Sequence, residues 1–168
     1  MADRRDLMAE LARPVRHEVN NLLAALSGTA ELMQRAGGSE REMARAARLT
    51  AAAARLQALL HAYLALGAPP PEGTAAAAVF DAVAPLVRLT IGPARTLEMV
   101  AAPGLPALAA PPAALQVAIL TLAQDAAAAA PDGPVRLTLE AAPGGAVLAA
   151  HLESMGAAPP PVFLAAQG

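Results

Sequence analysis

His17, Glu18 and Asn21 are the residues whose types and spacing could do chemistry in this chain of 168 residues. At about 3.6 residues per helical turn, His17 and Asn21 lie one turn apart on the same face, with an acid directly after the histidine. A neutral imidazole is a usable nucleophile. Glu18 could orient the ring or accept its proton, and Asn21 could hold a water or an incoming oxyanion. The plain alternative is a histidine on a solvated helix face with ordinary polar neighbours.

The elements that must position these residues are two helices. Residues 4 to 36 read as one long amphipathic helix. Glu10, Arg13, Ala24 and Gly28 continue the His17 stripe, while Leu11, Val15, Val19, Leu22, Leu26 and Met33 form the apolar face. His17 therefore lies off the apolar face, where a histidine is most often a core residue. Pro14 falls inside the pattern and either bends the helix or marks a new start. Gly37-Gly38 ends it, and Ser39 with Glu42 three residues on has the form of a capping box. A second helix follows to about Leu66, with Leu49, Ala53, Leu56, Leu60 and Tyr63 spaced like a bundle seam. Joined by a short turn, the two make an antiparallel hairpin. Its alanine-rich seam needs a partner, so a homodimer with a four-helix bundle is expected.

Arg41, Arg45, Arg48 and Arg55 fall along one side of the second helix. Such a stripe is ordinarily a solvated basic face; it would also suit an acidic partner surface. Ala24 and Gly28 would allow close approach of a partner helix, or serve simple helix packing. Arg13, Ala24, Gly28, Arg41, Arg45 and Arg48 are the candidate partner-binding residues. His61 lies one residue off the seam and reads as structural.

The totals exclude several classes. A formal charge of −2 argues against nucleic-acid binding, and two Phe, one Tyr and no Trp leave little surface for stacking bases. The absence of cysteine removes disulfides and thiolate metal sites, and the histidines at 17, 61 and 151 lack ligand-like spacing. The hydrophobic fraction is 56%, much of it alanine. No stretch of about 20 residues reads as apolar and charge-free enough to span a membrane. The first residues lack the apolar run of a signal peptide. A cytoplasmic protein is the expectation.

Composition shifts at a Pro- and Gly-rich linker, 68–74. The first 67 residues hold nine Arg against seven acids, the remainder three against seven. The expected domains are thus 1–67 and 75–168. In the second, a helix from about 75 to 90 with an irregularity near Pro85, a strand at 95–100, a helix over 113–130 and strands at 135–140 and 146–153 are expected. That order makes a small α/β sandwich, and the chain as a whole an α+β protein.

His17-Glu18-Val19-Asn20-Asn21-Leu22-Leu23 resembles the phospho-acceptor box of the histidine-kinase dimerisation and phosphotransfer domain. Leu22 stands where that box commonly has proline. The second half is similar to the ATP-binding domain of those kinases, in degenerate form. Gln124-Asp125 falls where the family has a metal-chelating Asn, and Glu153-Ser154-Met155-Gly156-Ala157 falls at its Asp-x-Gly-x-Gly nucleotide loop. Side chains there would obstruct a phosphate cradle.

The combination resembles the alphaproteobacterial histidine phosphotransferases of the ChpT type, whose box usually carries Asp after the histidine. The resemblance implies a homodimer without ATP chemistry, in which His17 relays a phosphoryl group between receiver-domain aspartates. Glu18 would polarise His17, Asn21 would orient the attacking group, and the partner receiver would bring Mg2+. A non-catalytic docking module and an ATP-dependent kinase are the other readings.

Overall fold

The computed structural model describes residues 4–35, 39–68, 70–130, 132–153 and 157–167. Among the described residues, five helices and four strands follow in the order α1 (Arg4–Arg35), α2 (Ser39–Gly67), α3 (Ala76–Ala82), α4 (Ala84–Ile91), β1 (Leu97–Ala101), α5 (Pro112–Ala129), β2 (Val135–Ala142), β3 (Gly145–Leu152) and β4 (Val162–Ala165). The chain is thus mixed α+β. The expected helix end at Gly37-Gly38 lies outside the described residues, as do residues 154–156 of the 153–157 loop read as a degenerate nucleotide box.

α1 runs through Pro14 as a continuous helix, although proline removes one intrahelical donor at that turn. α1 and α2 run antiparallel. The phenol of Tyr63 donates to the Met8 carbonyl at 3.4 Å, Arg55 meets Glu18, and Arg45 Nη1 donates to the Leu32 carbonyl at 2.8 Å, so later residues of α1 meet earlier residues of α2. The buried face of α1 is Leu7, Leu11, Val15 and Leu22, close to the expected stripe.

The α2 seam is corrected in part. Leu59, Ala62 and Leu66 are its buried residues, while Ala53 and Leu60 are exposed and Leu49, Leu56 and Tyr63 only half-buried. An alanine-rich helix offers so little contrast between faces that the spacing alone misplaces the stripe by one residue.

The remaining elements form a two-layer unit. The sheet order is β1-β2-β3-β4, with β1 parallel to β2 through the α5 crossover and the other pairs antiparallel. Val135, Leu137 and Leu139 of β2, with Ala146, Leu148 and Ala150 of β3, alternate inward, as a half-covered sheet requires. A two-residue turn at Pro143-Gly144, with Gly144 at φ 79°, closes the β2–β3 hairpin. The irregularity near Pro85 is a full break: α3 ends at Ala82 and α4 restarts with Pro85 in its first turn, where a missing N–H costs nothing.

β4 is an element that the spacing does not predict. It is four residues long, begins directly after Pro159-Pro160-Pro161 and pairs with β3 as an edge strand, a place that tolerates proline at its start. Gly145 makes that pairing possible, because a Cβ there would collide with the Leu164 carbonyl.

One buried cluster joins both halves. Leu7, Leu11 and Val15 of α1 and Leu59, Ala62 and Leu66 of α2 belong to the same core as Phe80, Val83, Ile119, Leu122 and the inner strand residues.

By length and composition, two helical stretches reach what a membrane crossing needs, Glu42–Gly67 and Pro112–Ala129, contrary to the expectation from the sequence. Alanine raises their mean hydropathy without large side chains. Half of the second stretch is buried in the protein's own core.

Candidate functional site

The His17 face is built by α1 alone. Leu11, Val15 and Leu22 fix the rotation of the helix by burying the opposite side, so His17, Asn20 and Asn21 emerge into solvent. Arg13 and Ala24 are exposed along the same stripe. The sequence-derived trio is therefore only partly together: His17 and Asn21 share the open face, whereas Glu18 lies to its side and is half-buried.

Glu18 has a partner on the other helix. Arg55 Nη2 lies 3.3 Å from Glu18 Oε1, with side-chain exposures of 64% and 26%. Arg55 thus keeps the carboxylate directed across to α2, one residue from the histidine.

The partner-binding candidates divide. Arg45 is half-buried and its Nη1 is spent on the Leu32 carbonyl of α1, which makes it a tie within the protein. Arg48 is exposed on α2. The side chain of Arg41 lies outside the described residues. Gly28 is exposed, and a Cβ built on it would meet nothing within 4 Å, so no packing within this chain calls for glycine there. His61 is exposed.

Beside Glu18 a groove of about 650 Å³ opens between α1, α2, α3 and α4. Leu22, Leu59 and Leu89 give it an apolar floor, and Glu18, Arg55, Asp81 and Arg88 give it charged walls. Arg88 is anchored by a 3.0 Å hydrogen bond from its Nη2 to the Leu97 carbonyl. Asp81 of α3 and Arg88 of α4 escape the sequence reading because their place in one groove with Glu18 depends on tertiary packing, which no local pattern encodes.

Gln124 and Asp125 lie on α5. Gln124 Nε2 donates to Glu10 Oε2 at 2.8 Å, joining α5 to α1. Asp125 is exposed. Among the described residues no group of three His, Asp or Glu side chains is placed to hold a metal ion.

No protein-family model matches this chain, and no curated protein matches it. Among solved structures it is similar to a bacterial phosphotransferase, with a TM-score of 0.57 and 19% identity over 95% of this chain and 73% of that one. At that identity the likeness is one of fold.

Proposed function

We propose that the chain is a histidine phosphotransferase in a bacterial two-component phosphorelay, carrying a phosphoryl group between receiver-domain aspartates through His17. The observation that supports this reading most is the exposed pair His17 and Asn21, one turn apart on an unbroken helix, within a fold similar to that of a bacterial phosphotransferase. The resemblance to the ChpT-type proteins favours the same assignment.

In the forward step an imidazole nitrogen of His17 attacks the phosphorus of an aspartyl phosphate. The P–N bond forms as the P–O bond to the aspartate breaks, and the carboxylate leaves with the electron pair. Both donors are high-energy phosphoryl compounds, so the step runs in either direction. Catalysis then amounts mainly to in-line positioning. Asn21 orients the attacking group, and Glu18, held by Arg55, stabilises positive charge on the imidazole. The partner receiver brings the Mg2+ that offsets the phosphoryl charge.

The working assembly in this reading is a cytoplasmic homodimer. Leu23, Leu32, Met43, Leu60 and Leu64 are exposed apolar side chains on α1 and α2, and a second hairpin packed on them would complete a four-helix bundle. Arg13, Arg48 and the open face at Ala24 and Gly28 would meet the receiver. Residues 75–168 would be a degenerate ATPase-like domain without nucleotide chemistry.

The test is mass-spectrometric detection of phosphohistidine at His17 after incubation with a phosphorylated receiver. Phosphate at His17 supports transfer. Receiver binding without phosphohistidine would instead mark a docking module, and saturable binding of an ATP analogue in calorimetry would revive a kinase.

A further inference from the structure

The Pro- and Gly-rich linker at 68–74 between two expected domains suggests two bodies on a hinge, with residues 75–168 free to approach or leave α1. The packing is otherwise. Leu7, Leu11 and Val15 of α1 are at most 5% exposed, in the same core as Leu122, Ala123 and Ala126 of α5. α5 packs directly against α1, and α4 against α2. An apolar shared interface of this kind removes the default expectation of relative domain motion.

A hydrogen bond between α5 and α1 side chains falls at a telling place. Gln124 Nε2 donates to Glu10 Oε2 at 2.8 Å, a bond strengthened by the acceptor's charge. Glu10 lies seven residues before His17, two helical turns away on the same face, or roughly 10 Å along the axis. The bond therefore opposes rotation of the face that presents the histidine.

We infer that α5 is a fixed clamp on α1, and that Gln124 is a positioning residue acting through Glu10 to set the orientation of the His17 face. The second half of the chain does not swing during a phosphoryl-transfer cycle; His17 stays open to its partner throughout. The packing carries the clamp by itself, while its effect on transfer rests on the proposed phosphotransferase reading.

The chain has no cysteine, so Glu10→Cys with Gln124→Cys can be joined by a short bismaleimide without competing thiols. Two readouts are taken. The first is amide hydrogen exchange over residues 7–15 and over α5 in the unmodified protein and in Gln124→Ala. The second is the rate of transfer from a phosphorylated receiver to the bridged and unbridged double variant.

The clamp predicts that residues 7–15 exchange as slowly as α5 in the unmodified protein, and about tenfold faster in Gln124→Ala. The bridged protein transfers at no less than about half the rate of the unbridged one, which lacks the hydrogen bond. Gln124→Ala lowers the rate at saturating receiver without changing the half-saturating concentration, and the exchanged pair Glu10→Gln with Gln124→Glu restores it. Rapid exchange over 7–15 while α5 stays protected would overturn the clamp. So would a bridge that slows transfer by about tenfold or more. If no receiver labels even the unmodified protein, the phosphorelay reading fails and the exchange comparison alone decides the clamp.

Discussion

Arg55 of α2 reaches Glu18 of α1, Nη2 to Oε1 at 3.3 Å, so the acid that follows the candidate phospho-acceptor is held by the opposite helix. Thirty-seven residues separate the two in the chain. The antiparallel course of α1 and α2 brings them together.

With Arg55 64% exposed, the pair is screened by solvent and contributes little to stability. Arg55→Gln and Glu18→Gln should each cost under about 1 kcal/mol in urea unfolding, with a coupling of a few tenths at most. A loss of several kcal/mol in either variant would mean that the pair does more than orient a carboxylate.

Gln116 of α5 is fully buried, and neither its amide nitrogen nor its carbonyl oxygen has a hydrogen-bond partner among the described residues. Burying such a group costs about 1–3 kcal/mol relative to a satisfied one. Gln116→Met, close in volume and free of that penalty, should raise the midpoint of thermal unfolding. A lower midpoint would show that the polar atoms serve a need in the core.

Gly145 sits where a Cβ would strike the Leu164 carbonyl. Gly145→Ala should push β4 off the sheet edge, costing about 1–3 kcal/mol. Accelerated amide exchange at 162–165, with β2 still protected, is the expected signature in hydrogen-exchange mass spectrometry. Unchanged exchange there would contradict it.

Gly28 offers a cleaner separation of stability from partner contact. A methyl group there meets nothing within 4 Å among the described residues, and glycine inside a helix is about 0.5–1 kcal/mol worse than alanine. Gly28→Ala should therefore stabilise the protein while slowing transfer from a receiver that docks against that face. If the variant transfers at the original rate, the partner does not approach at Gly28.

Much of the fold is legible in the sequence because its signals are long or chemically sharp. Thirty residues of helical spacing define α1, and Pro143-Gly144 closes the β2–β3 hairpin. β4 is missed because four residues after three prolines carry no alternation long enough to read, and it exists only through pairing with β3. The Leu59-Ala62-Leu66 stripe of α2 is blurred by alanine, which is apolar enough for either face.

At the site, exposure of His17 and Asn21 follows from the apolar stripe on the far side of α1. The roles of Arg45 and Gln124 do not follow from pattern. Each is decided by a long-range contact, with the Leu32 carbonyl in one case and Glu10 in the other.

The most direct measurement is transfer of labelled phosphate from a panel of phosphorylated receiver domains to this protein and to its His17→Gln variant. The account predicts acid-labile, base-stable label on the protein with at least one receiver, return of that label to a receiver aspartate, and none on His17→Gln. Binding to receivers with no label on either protein, or equal label on both, would contradict the assignment of His17 as the phosphoryl carrier.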